Sequence, residues 1–368
     1  MNSAISAIDD TDRALVHALQ LAPRASWERL AQVLGARPET LARRWERLTG
    51  AGEAWITGLG LRTGTQAPCM AWVEVMCAAG TPPTVGAALT ADPHTMGVEH
   101  TTGGRDLLTF VAVPDLHTLY RYLSFRVQRI PGVVGTRSSI VTAVHAAPDR
   151  WRLDQLTPAQ TDQLTGRNRR NGASAAQSPR PVAAMAQEDR PLTLALASDA
   201  RRSVASLARE SGMSESTVRR RLGRLEAGQS LRYSCALASG LTGWPVSATV
   251  WAEVPEHEVA DCAAVAAGLR ETRTCMSVSG PWNFMIGARL RTIEELSRYT
   301  ADLTRRLPNM RVTDTMVALH VRKSEAQELD QAGRRIRTVR PDIWTDAAPG
   351  SRDETPPHGT VLPPRGGA

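Results

Sequence analysis

The apolar residues of positions 8–60 recur with the spacing of helices. They form three groups at i, i+4 and i+7 separations: Leu15 and Leu19; Leu30 and Leu34; and Leu41, Trp45 and Leu48. Such spacing places each group on one buried helix face. Ser26 stands where a helix N-cap is expected, and Gly35 lies between two short helices, where a tight turn requires positive φ. The pattern predicts that 8–60 is a helical domain with a helix-turn-helix.

The pattern changes between residues 68 and 147. The segment predicts, in order, a strand at 70–76, a short helix at 84–90, two strands flanking the Gly103-Gly104 turn, a helix at 115–130 and a strand at 136–144. The order β-α-β-β-α-β is that of a ferredoxin-like domain.

Both patterns return 177 residues further along the chain. Positions from Asp12 to Leu48 recur without a gap between Asp189 and Leu225, and Gly103 and Thr136 recur as Gly280 and Thr313. A period of this length predicts a duplicated two-domain unit with an α+β fold. The second helical domain is expected at 188–237 and the second ferredoxin-like domain at 243–323. We aligned Trp72 with Trp251 at an offset of 179, which implies a two-residue difference in the next connection.

The segments outside the repeats differ in composition. Residues 165–187 contain Gly, Ser, Pro, Asn, four arginines and no acid, which predicts a disordered linker. Residues 149–164 are interpreted as an extra helix docked on the first half. The tail at 341–368 is rich in proline and is expected to be disordered.

Charge and cysteine content narrow the class of protein. The formal net charge is +7, which favours a polyanionic partner. Lys323 is the only lysine, so nearly every base is arginine; genomic base composition can explain this, but the planar guanidinium also suits phosphate and guanine. The five cysteines show no CxxC or Cys/His ligand spacing, which argues against a disulfide framework or a zinc site. No signal peptide or membrane-length apolar run is visible, so a cytoplasmic location is expected.

The third helix of each helical domain carries an outward polar face. In the first copy this face consists of Glu39, Thr40, Arg43, Arg44 and Arg47, and in the second of Ser214, Ser216, Thr217, Arg220, Arg221 and Arg224. A recognition helix presents such residues to base edges and phosphates of double-stranded DNA. The alternative is an ordinary solvated helix face. Both copies retain Thr-x-x-Arg-Arg-x-x-Arg, which favours the DNA-binding interpretation.

With these residues and the βαββαβ domain that follows them, the chain resembles the Lrp/AsnC family of bacterial transcriptional regulators. Its second half, with Gly243-Trp244-Pro245 and Gly280-Pro-Trp-Asn-Phe284, is similar to the tandem-domain regulators of GC-rich actinobacteria. The resemblance implies that the ferredoxin-like domain binds a small effector, often an amino acid, and pairs through its sheet. Each chain would then be an intramolecular pseudo-dimer, nucleoid-associated and able to self-associate further.

The resemblance also implies candidate effector residues. They lie in the loop between the second and third strands and on the last strand: Gly103, Gly104, Asp106, Thr136 and Ser138 in the first copy, and Gly280, Trp282, Asn283, Thr313 and Thr315 in the second. Both loops lack the tyrosine and the second copy lacks the aspartate of the family's usual Gly-Asp-Tyr-Asp. A plain β-turn is the alternative interpretation for each loop.

Catalytic motifs are not visible. The sequence shows no Ser-His-Asp arrangement, phosphate loop or dinucleotide fingerprint, and His94, His100 and His145 are dispersed. We therefore expected no catalytic residues, no metal and no cofactor, and a protein that is not an enzyme. Two alternatives stayed open: a siroheme-decarboxylase-like enzyme built on the same duplicated unit, and a ligand-sensing module without DNA binding.

Overall fold

The computed structural model describes residues 8–60, 68–166, 186–228 and 230–346. Most of the expected linker and most of the expected tail lie outside these residues. The described chain contains two copies of a helical domain followed by a mixed domain, and the predicted α+β fold class is confirmed.

The first repeat, residues 8–166, begins with the helices α1 (Asp10–Leu21), α2 (Trp27–Leu34) and α3 (Pro38–Gly50), followed by the strand β1 (Ala54–Gly60). Ser26 caps α2 by accepting a hydrogen bond from Arg29 N, and Gly35 ends that helix with a φ of 66°. Both features agree with the sequence. The expectation that 8–60 is entirely helical was wrong for residues 54–60, because β1 pairs with a strand of the other repeat.

The rest of the first repeat is the mixed domain. Its elements are β2 (Cys69–Cys77), α4 (Pro82–Ala91), β3 (Thr95–Thr101), β4 (Leu107–Val113), α5 (Leu116–Phe125) and β5 (Val133–Ala146), with α6 (Pro158–Thr165) after it. Leu119 and Tyr122 of α5 and Val85 and Leu89 of α4 pack on the sheet in one apolar core.

The second repeat, residues 186–346, has the same order. Its elements are α7 (Arg190–Ser198), α8 (Val204–Ser211), α9 (Glu215–Ala227), β6 (Leu231–Leu237), β7 (Val246–Glu253), α10 (Val259–Ala267), β8 (Thr272–Val278), β9 (Phe284–Leu290), α11 (Glu295–Arg306) and β10 (Arg311–Ser324). The short strands β11 (Gln327–Leu329) and β12 (Arg335–Thr338) follow.

Two sets of strands join the repeats. β1 and β6 form an antiparallel two-stranded ribbon between the two helical domains, in the register Thr57 to Ser234. The long strands β5 and β10 each belong to both mixed domains. The first half of β5 pairs with β2 and its second half with β8, and β10 pairs with β7 and then with β3 in the same way.

The pairing β10–β7 closes the sheet into an eight-stranded circuit in the order β10-β3-β4-β2-β5-β8-β9-β7. Helices α4, α5, α10 and α11 cover its outside. A closed sheet of about eight strands has an interior that is either filled by side chains or wide enough for one small ligand. The architecture therefore places the interior of the closed sheet between the two mixed domains.

The register of the strands corrects our alignment of Trp72 with Trp251. Glu74 lies opposite Leu108 on β4, and Trp251 lies opposite Met285 on β9. These two pairs are both related by 177, so the equivalent of Trp251 is Glu74. Trp72 and Trp251 are the same residue type on the same face of equivalent strands, which suggested an offset of 179. The strand pairing shows that the offset is 177.

Each repeat ends in a segment that returns to its own helical domain. In the first repeat the backbone N–H groups of Gln155 and Leu156 donate to His17 Nδ1 of α1, both at 3.1 Å. In the second, Arg190 of α7 donates to Asp342 Oδ2 at 2.5 Å and lies over the ring of Trp344. Residues 341–346 are therefore packed, whereas we expected the disordered tail to begin at 341.

Candidate nucleic-acid interface and ligand cavity

The arginines on α3 are not equally available. Arg44 Nη1 donates to Asp12 Oδ1 at 2.9 Å, and Arg47 Nη2 donates to the other oxygen of the same carboxylate. Asp12 lies at the start of α1, is 1% exposed and also completes the capping box with Asp9. Two arginines of the predicted DNA-binding face thus hold a buried carboxylate of the same domain.

The second repeat reproduces this arrangement. Arg221 Nη1 donates to Asp189 Oδ1 at 2.9 Å, and Arg224 donates to Asp189 Oδ2. Asp189 is fully buried. The retention of both arginines in both copies therefore has an intramolecular cause, which the sequence comparison attributed to DNA alone.

Arg43 and Arg220, which occupy equivalent positions, differ from these paired arginines. Both are exposed, and neither makes a hydrogen bond or ion pair with any residue that the structure describes. Thr40 and Thr217, one turn earlier, are half-buried, while Glu39 and Ser216 are exposed. Ser214 caps α9 by accepting from Thr217 N. The outward surfaces of α3 and α9 thus centre on one arginine each that has no partner among the described residues.

The two helical domains differ in charge. Residues 8–60 hold seven acidic and seven basic residues, whereas 188–237 hold six acidic and nine basic residues. Glu39 and Glu46 add exposed negative charge to α3. The second domain presents the more positive surface.

The loops predicted to bind an effector are built into the contact between repeats. Thr102 Oγ1 accepts from Val317 N at 3.0 Å, and its equivalent Ser279 Oγ accepts from Ile140 N at 2.9 Å. Each loop therefore clamps the long strand of the other repeat. Gly103 and Gly280 provide the turns with φ of 96° and 125°.

The polar side chains of these loops are also occupied. Asp106 Oδ2 accepts from Cys77 N at 2.7 Å, and the equivalent Asn283 Oδ1 accepts from Val254 N at 2.9 Å. Gly104 is exposed beside Gly103. In the structure these residues close the ends of neighbouring strands.

The last-strand candidates do not converge on one point. Thr136 Oγ1 accepts from Gln128 Nε2 at 3.0 Å, Thr313 Oγ1 donates to Trp251 O at 3.0 Å, and Ser138 and Thr315 are exposed. The remaining candidate, Trp282, packs beside Trp251 with ring centroids 5.6 Å apart.

A charged cluster that the sequence did not reveal lies where the repeats meet. Arg105 is 6% exposed; its Nε lies 3.0 Å from Glu74 Oε2, and its Nη2 donates to Asp314. Burial raises the pKa of the Glu74 carboxyl, and the positive charge of Arg105 opposes this shift. At the positions equivalent to Glu74 and Arg105 the second repeat carries Trp251 and Trp282. The duplication thus places an ion pair on one side of the pseudo-twofold axis and an aromatic pair on the other.

The interior of the closed sheet contains a cavity of about 210 Å³. At three pairs of equivalent positions in its wall, the first repeat carries a large apolar side chain and the second a small residue. The equivalent pairs are Met70 and Ser247, Trp72 and Thr249, and Phe110 and Gly287. Because Thr249 and Gly287 fill less space than Trp72 and Phe110, the asymmetry between the repeats leaves this space open. A smaller cavity of about 60 Å³ adjoins it and shares Arg273 and Ser234.

Other kinds of site find little support in the described residues. Within those ranges no group of three or more His, Cys, Asp or Glu side chains is placed to hold a metal ion. The helices that the structure describes are too short or too polar to cross a membrane. Cys235, Cys262 and Cys275 are buried free thiols.

Comparison with known protein families identifies both domain types twice. The AsnC-type helix-turn-helix domain matches residues 8–49 and 189–226, and the Lrp/AsnC ligand-binding domain matches residues 70–148 and 247–328. No curated protein sequence matches significantly.

Solved structures share the fold. The siroheme decarboxylase NirDL, in complex with an iron-uroporphyrin III analogue, aligns with a TM-score of 0.56 and 15% identity, over 90% of this chain and 95% of that chain. Single-unit proteins align with one repeat: LrpA of Mycobacterium tuberculosis at 26% identity, covering 39% of this chain and 99% of that chain (TM-score 0.35), and AsnC of E. coli at 23%, covering 37% and 93% (TM-score 0.31).

The similarity to NirDL corrects one expectation. We expected a protein that is not an enzyme, but an enzyme has this fold over nearly the whole of both chains. The absence of familiar catalytic motifs from the sequence is therefore no argument against catalysis. The duplicated family domains cover well over half of the sequence, and the chain is a member of the Lrp/AsnC family with both of its domains present twice.

Proposed function

We propose that the protein is a sequence-specific DNA-binding transcriptional regulator whose two recognition helices belong to one chain. One observation carries the proposal: Arg43 and Arg220, at equivalent positions of the two recognition helices, are exposed and without a partner in the described chain. Neither arginine has an intramolecular role that would explain its retention. Both are available to a phosphate or to a guanine edge.

The two half-sites are expected to differ. The first domain has equal numbers of acidic and basic residues and exposes Glu39 beside Arg43, whereas the second has an excess of three basic residues. The sequence-independent part of DNA affinity depends on the number of phosphates that basic side chains neutralise. We propose that the second domain provides most of the affinity and that the operator is an imperfect palindrome.

Regulation by a small ligand is part of the proposal. Leu59 of β1 and Tyr233 and Ser234 of β6 line the cavity inside the closed sheet. The ribbon that joins the two helical domains therefore forms part of the wall of this cavity. A ligand that shifts the ribbon would change the relative position of the recognition helices. A nucleoid-associated location and self-association beyond the pseudo-dimer remain predictions.

Selection from a random double-stranded DNA library tests the proposal directly. The purified full chain should enrich a motif with two unequal half-sites, and its affinity should fall steeply with salt concentration. The double variant Arg43→Ala/Arg220→Ala should bind at least tenfold more weakly. The matched control is Arg209→Ala, which removes an exposed, unpaired arginine of α8, outside the recognition helix. Failure to enrich any motif would count against the proposal.

A second candidate function is porphyrin decarboxylation, favoured by the similarity to NirDL over nearly the whole chain. Absorbance titration with iron-uroporphyrin III tests it, because a bound iron porphyrin changes its visible spectrum. A saturable change at one equivalent per chain, followed by release of carbon dioxide under reducing conditions, would support this candidate. An unchanged spectrum at micromolar protein would reject it.

A further inference from the structure

Aromatic and methionine side chains line part of the cavity of about 210 Å³. One carboxylate in the lining, that of Glu99, has no partner in the described chain. Trp72 and Phe110 are in ring contact at 4.7 Å, and Met70, Met96, Met276 and Met285 surround them. Methionine side chains adapt to the shape of an apolar ligand. The indole Nε1 of Trp72 is buried and makes no hydrogen bond within the described chain.

Glu99 of β3 faces this cavity. Its carboxylate has no hydrogen bond or ion pair with any residue that the structure describes. Burial raises the pKa of Glu99, while the positive charges of Arg289 and Arg273 act against this shift. Glu99 is half-buried, and a partly desolvated carboxylate without a partner in the described chain is available to a ligand that donates a hydrogen bond.

Arg289 of β9 is the positively charged counterpart of Glu99. It lines the adjoining cavity of about 60 Å³, and its guanidinium likewise has no partner in the described residues. Burial lowers the pKa of Arg289 to about 9. The two charges influence one another but do not form an ion pair. Arg273, which lies between the two cavities, is by contrast balanced by Glu325 at 4.0 Å.

From this arrangement we infer that the interior of the closed sheet is a binding site for a small molecule with a flat apolar body and a polar end that both donates and accepts hydrogen bonds. The body packs against Trp72, Phe110 and the methionines. The donor of the polar end faces Glu99, and its acceptor extends past Arg273, which lines both cavities, towards Arg289 in the adjoining cavity. The site lies away from the loops at Gly103 and Gly280. The inference rests on the proposed regulation by a small ligand and names the chemistry of that ligand, which can be measured without DNA.

Three indole derivatives with different polar ends test the inference by isothermal titration of the full chain without DNA. Indole-3-acetamide carries a donor and an acceptor, tryptamine only a donor, and indole-3-acetate only an acceptor. Indole-3-acetamide should bind once per chain, about tenfold more tightly than the other two, since each of these leaves either Glu99 or Arg289 without a partner.

Charge variants give a reciprocal readout. Glu99→Gln should weaken binding of tryptamine and strengthen binding of indole-3-acetate, and Arg289→Gln should do the opposite. If these residues had a purely structural role, the two variants would not change the affinities for tryptamine and indole-3-acetate in opposite directions. Circular dichroism and the melting temperature of each variant establish that it is folded.

Thr249→Phe provides the steric test. It gives the second repeat an aromatic ring at the position where the first repeat has Trp72, and it fills the cavity without altering Glu99 or Arg289. All three probes should lose binding in the folded variant. The inference is overturned if no probe binds the wild-type chain at millimolar concentration, if Thr249→Phe binds normally, or if neither charge variant shifts the preference. Because the assay contains no DNA, these outcomes are independent of the DNA-binding proposal.

Discussion

Arg44 Nη1 donates a hydrogen bond to Asp12 Oδ1 at 2.9 Å, and this pair ties the recognition helix to the first helix of its own domain. Arg221 and Asp189 form the same bond at the same distance in the second repeat. Two neighbouring arginines on each recognition helix thus have separate roles. The second of them holds a buried carboxylate of its own domain, and the first, Arg43 or Arg220, has no partner among the residues that the structure describes.

Neighbouring substitutions should separate these roles. Arg44→Ala leaves the buried Asp12 with fewer partners and should lower the free energy of unfolding by about 1–3 kcal/mol. Arg43→Ala removes an exposed, unpaired side chain and should change it by less than about 0.5 kcal/mol. Urea denaturation monitored by circular dichroism measures both. Equal losses in the two variants would contradict the assignment.

Arg220→Ala should reduce DNA affinity more than Arg43→Ala. The second helical domain has an excess of basic residues, so its contacts are expected to contribute the larger part of the binding free energy. Loss of one phosphate contact should lower the slope of log affinity against log salt by about one. Fluorescence anisotropy over a salt series measures this slope. A larger effect of Arg43→Ala would reverse the proposed order of the two domains.

The ion pair of Glu74 and Arg105 should be strongly coupled. Arg105→Met leaves the buried Glu74 carboxylate without its nearest positive charge, and we expect a loss of about 3–5 kcal/mol in stability. The double variant Glu74→Gln/Arg105→Met should recover part of this loss, because the uncompensated charge is then absent. A double-mutant cycle from denaturant titrations gives the coupling energy. Additive effects would show that the two side chains do not stabilise one another.

His17 should make stability depend on pH. Burial, together with the positive charge of Arg152, lowers the pKa of this imidazole from about 6.5 to about 4. The neutral Nδ1 accepts two backbone hydrogen bonds. The pKa of His17 in the folded state lies below that in the unfolded state. The contribution of His17 to the free energy of unfolding is therefore complete above pH 6.5 and is lost as the pH falls through about 4. Its size is at most about 3 kcal/mol.

The control for this prediction is His17→Asn. The amide oxygen can accept the same backbone N–H groups but does not titrate in this range. The difference in stability between wild type and variant should shrink or change sign from pH 7 to pH 4.5. A constant difference would show that the His17 contact does not govern the acid sensitivity.

Local features of the fold were predictable from the sequence. The apolar spacing around Leu41 and Trp45 gave the recognition helix, and Ser26 and Gly35 gave the ends of α2, because caps and turns depend on nearby residues. The period of 177 predicted the duplicated architecture. Features that depend on distant pairing were missed. Residues 54–60 become a strand only because β6 pairs with them across the repeats.

The candidate sites were less predictable for the same reason. The pairing of Arg44 with Asp12 joins residues 32 positions apart, and the pattern on α3 alone cannot distinguish it from a free arginine. Asp106 was chosen as an effector ligand from its loop, but it closes a strand end by accepting from Cys77 N. No sequence motif around Glu99 or Arg289 marks either residue as part of a binding site. Only the closure of the sheet places them in the same interior.

Because the two repeats share strands, pairing of the two halves of the chain does not depend on the protein concentration. β5 and β10 each complete the sheet of the other half, so separation of the halves would break backbone hydrogen bonds in both. Within one chain the partner is always present, so pairing does not weaken on dilution, as it does for a dimer of separate subunits. At a few molecules per cell every chain is already assembled. Both halves of the asymmetric interior are therefore supplied by every single chain.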